Sequence, residues 1–441
     1  MGTVTTSIGS NSSIDTETPS SCADSGPWVV TFGTAPTGVS VGDLATAVDG
    51  FANTYIYLVT VVDGGDITMK YISGGMGATS PCSVTGGFGA QSPFTFKRYY
   101  ATITLWEAGL DDTGLYSSSD DAVGECYDDS AFDEAIAING GGTVGLSSVT
   151  LSVASGERHD GTAGNGARIV KSADWSTGIL YADYNMPVTL EWLEINAGGY
   201  KSTTTSGTVV GVGASGVSSA YRKIIRNMLI HDANGADKHM TAVSKVDNRP
   251  PWTVMNNIIY DISVTSGGRS VRAISTSSTS PAASYIYNNT VYKLTNNTSG
   301  SSVGITIDDD ADEIVKNNIV CDVDLGSTSG TEACYSPTTP SNATAQYNLS
   351  SDSTATGTGS LTSKTAGNQF VNTANGSEDL HLKDNADALR AGVDLGTTPS
   401  GVEIDIDGRN RDSSGDTWDI GADQCESCST SAGTVVPQIM N

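Results

Sequence analysis

Short apolar strands separated by polar turns recur through most of the chain, and between residues 190 and 350 they recur with a fixed period. The repeated element is an asparagine-containing turn followed by an apolar strand, as in Asn256-Asn257-Ile258-Ile259-Tyr260. The second asparagine of this element returns at intervals of 30, 32, 29 and 30 residues, at Asn227, Asn257, Asn289, Asn318 and Asn348. A period of this length is typical of solenoids, in which each repeat forms one coil.

Stacked coils explain both the asparagines and the apolar strands. Asparagine tolerates the left-handed backbone of a tight corner, and corners that lie above one another let the side-chain amides form a hydrogen-bonded ladder. The Ile, Val and Leu side chains of successive coils then share one core that no single coil can bury. A β-sandwich is the alternative, but its turns would not return repeatedly in register. We therefore predict an all-β fold, a right-handed parallel β-helix.

A different pattern precedes the repeats. Residues 28–32 (WVVTF), 54–62 (TYIYLVTVV) and 66–72 (DITMKYI) have the composition of β-strands, and turn residues such as Asp63-Gly64-Gly65 separate them. These strands predict a small N-terminal β-barrel or sandwich. Residues 99–111 carry a helical pattern, and a short amphipathic helix there would cap the open end of the solenoid.

The predicted organisation therefore has five segments. They are an extended N-terminal arm (1–25), a small inserted β-rich module that is a docking candidate (26–97), the capping helix and parallel β-helix (98–350), irregular C-terminal coils and a cap (351–428), and a flexible tail (429–441).

Composition and charge narrow the function classes. Hydrophobic residues make up 37% of the 441 residues, which is less than in an ordinary globular protein. Gly (51 residues), Ser, Thr, Asn and Asp are abundant instead, and these residues suit short strands and tight turns. Disorder fits this composition too, but a disordered chain has no apolar periodicity. The net charge of −27 argues against nucleic acid and anionic membranes as partners, because phosphate binding needs a basic surface.

Targeting signals are also missing from the sequence pattern. No segment approaches the roughly 20 apolar residues of a membrane helix. The N-terminus, MGTVTTSIGSNSSIDTETPS, has neither the basic nor the apolar region of a secretory signal. Either a signal has been removed or the protein does not use that export route, and Met1 favours the second interpretation.

The chain has seven cysteines, an odd number that leaves one unpaired. Cys22 and Cys82 bracket the module, so a disulfide between them would close it. Cys321 and Cys334 could face each other on neighbouring coils. Cys425 and Cys428 have C-x-x-C spacing, but a zinc site needs four ligands and no second pair accompanies them. We therefore expect a short disulfide or two free thiols at this position.

Two parts of the sequence resemble known proteins. The run D-x-D-G-R-x-R…D-I-G-A, over residues 405–422, resembles the terminating segment of pectate-lyase-like right-handed β-helix proteins, although Asp423-Gln424 follows where those proteins have an aromatic-acidic pair. Residues 3–9 (TVTTSIG), 98–110 (RYYATITLWEAGL) and 124–132 (GECYDDSAF) are similar to the N-terminal portion of β-helix proteins encoded among tailed-bacteriophage virion genes. In those relatives the opening strand runs straight into the Trp-containing helix. The resemblance therefore implies that residues 10–97 are an inserted domain.

Enzymes with this fold act on polysaccharides. Lyases hold Ca²⁺ with clustered carboxylates and use Arg or Lys as the base, whereas glycosidases use paired carboxylates. The candidate residues in this chain lie on neighbouring predicted coils: His231, Asp232, Asp237, Lys238, His239, Lys245, Asp247, Arg249, Arg269, Arg272, Asp308, Asp309, Asp310, Asp312 and Glu313. The 30-residue period puts His239, Lys245, Arg269, Arg272 and Asp308 on roughly one side.

The alternative for these candidates is a solvated surface, and we prefer it because the protein is acidic throughout. Arg269 and Arg272 would then form salt bridges to the 308–312 carboxylates. Tyr260, Tyr287 and Tyr292 fall beside the asparagine ladder, where core or ladder stacking explains them equally well. Asp405 and Asp407 are interpreted as turn-stabilising residues paired with Arg409 and Arg411 rather than as a metal site. The sequence therefore assigns no catalytic, cofactor-binding or metal-binding residue, and Ca²⁺ is the one cofactor considered.

We expect a non-enzymatic phage virion structural protein. It would be a capsid decoration (cement) protein or a head or tail appendage, docked through its N-terminal region on the major capsid protein or another virion protein after assembly in the host cytoplasm. The alternative is a polysaccharide depolymerase, either a phage tailspike or a secreted lyase or hydrolase, which would be extracellular. A homo-oligomer such as a trimer and a host-surface glycan are the other partners considered, whereas nucleic acid and membranes are not expected.

Overall fold

The structure is a computed structural model. It describes residues 2–10, 13–23, 28–48, 52–74, 93–176, 178–183, 185–213, 221–245, 251–276, 283–307, 313–325, 330–338, 343–414 and 417–428. The chain divides into an N-terminal unit, which runs to Phe132 and includes Asn139–Glu157, and a solenoid unit, which consists of Asp133–Ile138 and the chain from Arg158 onward. Among the described residues no helix is long and apolar enough to cross a membrane.

The N-terminal unit contains a nearly closed antiparallel sheet. In sheet order its strands are β2 (Asp15–Glu17), β8 (Phe94–Lys97), β5 (Leu44–Val48), β6 (Thr54–Asp63), β7 (Asp66–Gly74), β4 (Trp28–Phe32) and β3 (Pro19–Ala23). The large aromatic members of their shared core are Phe32, Tyr55, Tyr57, Phe94 and Phe96. The strands predicted at 28–32, 54–62 and 66–72 are confirmed.

The remaining strands of this unit pair with one another in parallel. They are β1 (Thr3–Ile8), β9 (Asp121–Cys126) and β11 (Ser148–Val153), and β9 pairs with both of the others. Because β1 and β9 are direct neighbours, the antiparallel module is an insertion between two adjacent strands. Helix α1 (Ile103–Ala108), within the predicted helical segment, follows the module, and a 3-10 helix (Gly109–Asp111) continues it.

The segment predicted as an extended arm is structured differently. Residues 3–23 contain strands β1, β2 and β3, and the last three residues of β1, Thr6, Ser7 and Ile8, are buried. Arg98 joins the module to the parallel sheet. Its buried guanidinium lies 3.1 Å from Asp43 Oδ1 and 3.0 Å from Asp129 Oδ2.

The solenoid unit consists of parallel strands stacked as a β-solenoid, and the solenoid has about six turns in all. The first sheet runs β14 (Val188–Glu191), β17 (Lys223–Arg226), β20 (Trp252–Met255), β23 (Ser284–Tyr287), β26 (Glu313–Lys316), β29 (Thr344–Gln346). The second runs β10 (Ile136–Ile138), β13 (Gly178–Asp183), β16 (Ser206–Gly213), β19 (His239–Lys245), β22 (Val271–Ser275), β25 (Ser302–Thr306), β28 (Glu332–Ser336). The third runs β12 (Arg168–Val170), β15 (Glu194–Asn196), β18 (Leu229–Asn234), β21 (Ile258–Val264), β24 (Thr290–Asn296), β27 (Ile319–Leu325), β30 (Leu349–Ser350). The predicted all-β parallel solenoid is confirmed.

A column of buried asparagines, the inner column, runs between the first and third sheets. Nδ2 of Asn257, Asn289 and Asn318 donates to Oδ1 of the asparagine on the next coil, at 2.8, 2.9 and 3.0 Å, and Asn348 ends the column. Each Nδ2 also donates to a backbone carbonyl, as Asn289 does to Val254 O at 2.9 Å. The hydrogen-bonding groups of each amide are therefore satisfied by the neighbouring asparagines and by the backbone at the corner.

A second column, the outer column, holds the left-handed corner itself. Asn227, Asn256, Asn288 and Asn317 have φ of 50°, 57°, 51° and 57°. The predicted ladder was wrong at Asn227, because Leu229 pairs with Ile258 and this register sets Asn227 beside Asn256. Met228 takes the inner position instead, and its backbone N–H donates to Asn257 Oδ1 at 2.9 Å.

The outer column fastens the C-terminal segment to the coils. Nδ2 of Asn227, Asn256, Asn288 and Asn317 donates to Asp405 O (2.7 Å), Gly401 O (3.0 Å), Val402 O (3.1 Å) and Val393 O (2.8 Å), respectively. The elements of this region are α2 (Ala366–Gln369), β31 (Phe370–Asn372), β32 (Asp379–Leu382) and a 3-10 helix (Arg411–Ser414). One late segment is thus bonded to four successive coils.

The D-x-D-G-R-x-R…D-I-G-A run has a structural role. Asp405 Oδ1 accepts hydrogen bonds from the backbone N–H groups of Asp407 and Arg409, at 3.0 and 2.7 Å. The fully buried Arg411 donates to the carbonyls of Gly421 and Ala422, at 2.9 and 2.7 Å. These contacts agree with the turn-stabilising interpretation of Asp405.

The cysteines have three different outcomes. Cys425 and Cys428 form a disulfide. Cys321 and Cys334 form no disulfide, and both are buried, as is Cys126. The predicted bond between Cys22 and Cys82 lies outside the described residues, as does the predicted tail at 429–441.

Candidate functional site

A column of charged residues, the charged column, follows the third residue of the strands β18, β21, β24 and β27. Its members are Asp232, Asp261, Lys293 and Asp322, with φ of 57°, 52°, 57° and 55°. The register of β18, β21, β24 and β27 aligns the preceding residues, so these four bends lie one above another. A left-handed bend turns each of these side chains out of the regular strand alternation, and the column borders two clefts.

The larger of these, the acidic cleft, has a volume of about 670 Å³. It lies between the third sheet and the segment 371–379. The residues that define its chemistry are Glu194, His231, Asp232, Tyr260, Glu378 and Asp379. Asn196 and Asp232 also border a neighbouring cleft of about 600 Å³, which Asp261 and Lys293 line. Carboxylates thus dominate this face of the solenoid unit.

His231 is the buried centre of the acidic cleft. Its Nε2 lies 3.1 Å from Glu194 Oε1 and its Nδ1 lies 3.0 Å from Asp232 Oδ2. The ring stacks on Tyr260, with centroids 5.0 Å apart and planes 4° from parallel. Burial opposes the charge on the ring, but the hydrogen bonds to Asp232 and Glu194 outweigh it and raise the pKa of His231 to about 9. The ring is therefore an imidazolium at neutral pH.

Asp261, Lys293 and Glu378 form a second charged group beside it. Lys293 Nζ lies 2.6 Å from Asp261 Oδ1 and 3.5 Å from Glu378 Oε1, and Glu378 is buried. Burial raises the pKa of Asp261, and the Glu378 carboxylate adds to this against the attraction of Lys293. A carboxyl group with a raised pKa, such as that of Asp261, can hold a proton, which is the property that acid–base chemistry on a glycan requires.

His381 lies in a separate charge network that shares Asp379 with the acidic cleft. His381 Nδ1 is 2.6 Å from Asp379 Oδ1, and its Nε2 is 3.1 Å from Asp407 Oδ1. Within the described part of the chain, His381, Asp407 and Asp423 are the group whose donor atoms, all within 4.8 Å of one another, suit a metal ion. Burial opposes protonation, but Asp407, Asp423 and Asp379 together raise the pKa of His381 to about 10. A proton thus balances these carboxylates.

The second sheet carries a cleft of opposite character, the basic cleft, with a volume of about 400 Å³. His239, Lys245 and Arg272 line it together with Tyr181 and several Ser and Thr hydroxyls. Its residues come from neighbouring strands, since Thr241 on β19 pairs with Arg272 on β22. The lining residues described include no Asp or Glu.

The predicted candidates are therefore divided between different places. His231 and Asp232 lie in the acidic cleft, whereas His239, Lys245 and Arg272 meet in the basic cleft, with Arg269 NH1 3.5 Å from His239 Nε2. Asp237 and Lys238 form an exposed ion pair at 3.3 Å, and Glu313 is buried. Asp247, Arg249, Asp308, Asp309, Asp310 and Asp312 lie outside the described residues, and so do the salt bridges predicted to the 308–312 carboxylates.

Sequence reasoning missed Glu194, Asp261, Lys293 and Glu378. A signal for two of them was present, because a charged residue directly follows an aromatic one in Tyr260-Asp261 and Tyr292-Lys293. The proposed stacking role fits Tyr287, which stacks on Tyr285, and Tyr292, which packs against Phe370. Tyr260 also stacks, on His231 of the preceding coil, and it borders the acidic cleft.

No protein-family model, curated protein or solved structure matches this chain.

Proposed function

We propose that this chain is a non-enzymatic structural protein of a tailed-phage virion, a capsid decoration protein or a head or tail appendage that docks through its N-terminal module. The observation that carries the proposal is the assembly of three separate sequence segments, 3–9, 98–110 and 124–132, which resemble the N-terminal portion of phage-encoded β-helix proteins. These segments join in one structural unit although the module interrupts them.

The contacts between the three segments are specific. Strand β1 pairs with β9 along its whole length, and Gly9 N–H donates to Tyr100 O at 2.9 Å. Trp106 of α1 packs on Gly124 so closely that a Cβ at residue 124 would lie 2.4 Å from Trp106 Cε2. The Trp of the second segment therefore requires a Gly at this position of the third. The module adds a separate surface to this unit, and the proposal gives that surface the docking role.

Excision of the module tests the docking role. Its two ends are adjacent, because Ile14 N–H donates to Phe96 O at 2.8 Å, so a short Gly-Ser linker can replace residues 15–96. We expect the full chain to be found on particles of the phage that encodes it by immunogold labelling, and to co-sediment when added to particles that lack it. The excised protein should keep the circular dichroism of the solenoid and fail to co-sediment. Equal co-sedimentation of both proteins, or absence of the chain from particles, would overturn the proposal.

A polysaccharide depolymerase is the second candidate, and the Asp261–Glu378 carboxyl pair beside Lys293 favours it. Incubation with host-surface and plant-type polysaccharides, with and without Ca²⁺, would then release reducing ends or unsaturated products. Turnover that the Glu378→Gln variant loses and the Asp237→Asn variant keeps would establish this candidate in place of the structural one. Asp237 is a suitable control because its carboxylate lies on the surface, paired with Lys201 and Lys238.

A further inference from the structure

Lys293 holds its primary amine against the side-chain amide of a residue 82 positions later in the chain, since its Nζ donates a hydrogen bond to Asn375 Oδ1. Lys293 lies on strand β24, where the left-handed backbone (φ 57°) turns its side chain out of the regular alternation. Asn375 lies in the turn between β31 and β32. An amine held beside an amide carbonyl is placed to form a new amide bond between the two side chains.

Two carboxyl groups lie beside the same amine. Lys293 Nζ is 2.6 Å from Asp261 Oδ1 and 3.5 Å from Glu378 Oε1. Burial lowers the pKa of Lys293, but the hydrogen bond to Asp261 and its charge outweigh burial and raise the pKa. The amine is therefore protonated in this ion pair, and it becomes a nucleophile only when a neighbouring group accepts a proton from it.

Asp261 is suited to accept that proton. Burial raises the pKa of its carboxyl, the Lys293 ammonium opposes this, and the Glu378 carboxylate adds to it. Glu378 Oε1 is a buried atom that has no hydrogen-bond partner among the described residues. Two adjacent carboxyl groups that share one proton repel each other less than two carboxylates, so this pair favours keeping a proton that leaves Lys293.

We propose that Lys293 and Asn375 form an intramolecular isopeptide bond in the folded protein. Lys293 transfers one proton to Asp261, and the neutral Nζ attacks Cγ of Asn375. The bond from Nζ to Cγ forms, the bond from Cγ to Nδ2 breaks, and Nδ2 leaves as ammonia with a second proton from Nζ. The first proton stays on the carboxyl pair of Asp261 and Glu378, so charge is conserved and no oxidant or reductant is required.

The bond would fasten the β31–β32 turn covalently to the coil that contains β24. It would close a loop between residues 82 positions apart, and a cross-link over a long loop stabilises a protein by restricting its unfolded chain. The ion pairs of Lys293 belong to the chain before this bond forms. The inference goes beyond the virion role and does not depend on it.

Mass spectrometry of the reduced and denatured full chain tests the proposal. After incubation of the folded protein at neutral pH, we expect a mass lower than that of the sequence by one ammonia molecule. A tryptic digest should contain one branched peptide that joins Lys293 to Asn375 and is not cleaved after Lys293. An intact mass equal to that of the sequence would overturn the proposal.

Matched variants locate the bond. Lys293→Arg keeps the positive charge, and Asn375→Ala changes an exposed turn residue and leaves Lys293 beside Asp261, so both variants should fold. Each should have the full mass of its own sequence and no branched peptide. Lys201→Arg alters a lysine that pairs with Asp237 on the surface, and this variant should lose ammonia as the wild type does.

A competing reaction at Asn375 is distinguished by the same variants. Because Gly376 follows Asn375, its backbone nitrogen can close a succinimide ring on Cγ and also release ammonia. Hydroxylamine cleaves the chain at a succinimide and leaves an isopeptide bond intact. Ammonia loss that persists in Lys293→Arg, or cleavage of the wild type by hydroxylamine at Asn375, would overturn the proposal.

The part given to Asp261 is tested by the rate of the mass change. Asp261→Asn cannot accept the proton from Lys293 and should slow the reaction at least about 100-fold, as expected when a general base is removed. Asp261→Glu should restore part of the rate. A wild-type rate in Asp261→Asn would overturn the proton transfer to Asp261.

Discussion

The inner column and the charged column run along the same coils, yet they do opposite things with polar side chains. The inner column consists of neutral amides that are buried and bonded to one another, from Asn257 to Asn348. The charged column places Asp232, Asp261 and Lys293 at the border of two clefts. Asp232 pairs with His231, Asp261 pairs with Lys293, and Lys293 also pairs with Glu378 from a later segment. An amide both donates to and accepts from an identical amide, so such a column can continue through any number of coils. A charged side chain, in contrast, requires a partner of opposite charge. The first column therefore serves the fold, and the second makes a site.

The largest effect is expected in the inner column. Asn289→Leu removes the hydrogen bonds to Asn257, Asn318 and Val254 O, and leaves buried polar groups on three coils unsatisfied. We expect a loss of about 4 kcal/mol in the free energy of unfolding, because each unsatisfied buried group costs about 1–3 kcal/mol. Urea denaturation measures this, and the loss should be the same at pH 6 and pH 9. A loss that varies with pH would contradict the neutral character of the column.

The contribution of His231 to the free energy of unfolding, by contrast, should depend on pH. Because the pKa of His231 is raised from 6.5 to about 9 in the folded state, its stabilising contribution is complete below about pH 6.5 and is lost as the pH rises through 9. This contribution is about 3 kcal/mol. The stability difference between the wild type and His231→Gln, followed by denaturation from pH 6 to pH 10, should shrink by that amount. A difference that stays constant over this range would show that the ring is neutral.

Replacement of Lys293 tests the ionic partners within the charged column. Lys293→Met leaves the Asp261 and Glu378 carboxylates facing each other, and we expect a loss of about 2 kcal/mol at pH 7, less than for a fully buried pair because Lys293 is partly exposed. The loss should decrease at pH 4, where protonation removes the repulsion. Lys201→Met breaks the exposed pair with Asp237 and should cost less than about 0.5 kcal/mol. Equal losses in the two variants would remove the distinction between them.

The smallest effect is expected in the outer column. Asn288→Gly keeps the left-handed backbone and loses one hydrogen bond, to Val402 O. We expect a cost of about 1 kcal/mol and earlier proteolytic cleavage of the C-terminal segment. Asn289→Gly is the matched control in the inner column and should cost several times more. Equal costs would mean that adjacent asparagines contribute alike.

The sequence allowed prediction of the coils, because apolar strands and asparagine turns are local and recur with the period of the structure. It also placed His239, Lys245 and Arg272 on one side, since residues one period apart lie on the same sheet. The prediction was wrong at Asn227, because this coil has Arg226-Asn227 where the others have two consecutive asparagines. The spacing of asparagines along the sequence does not show whether Asn227 belongs to the inner or the outer column. Only the strand register, with Leu229 opposite Ile258, decides this.

The acidic cleft was less predictable than the coils. Glu378 reaches Lys293 from a segment far along the chain, outside the repeats, and no spacing in the sequence connects the two residues. His231 and Asp232 were recognised as candidates, but their charge state depends on Glu194, which lies on the preceding third-sheet strand. Periodicity thus predicts which sheet a residue joins. It does not predict what an external segment brings to that sheet.

The attachment of one late segment to four coils has a consequence for evolution. Repeat proteins usually change length by duplicating or losing whole repeats, because each repeat contacts only its neighbours. Here a gained or lost coil would displace the outer asparagines from the carbonyls of Val393, Gly401, Val402 and Asp405. The spacing of these carbonyl groups along the segment must therefore match the spacing of the coils. The number of coils that it spans is therefore fixed, while loops between strands remain free to lengthen or shorten.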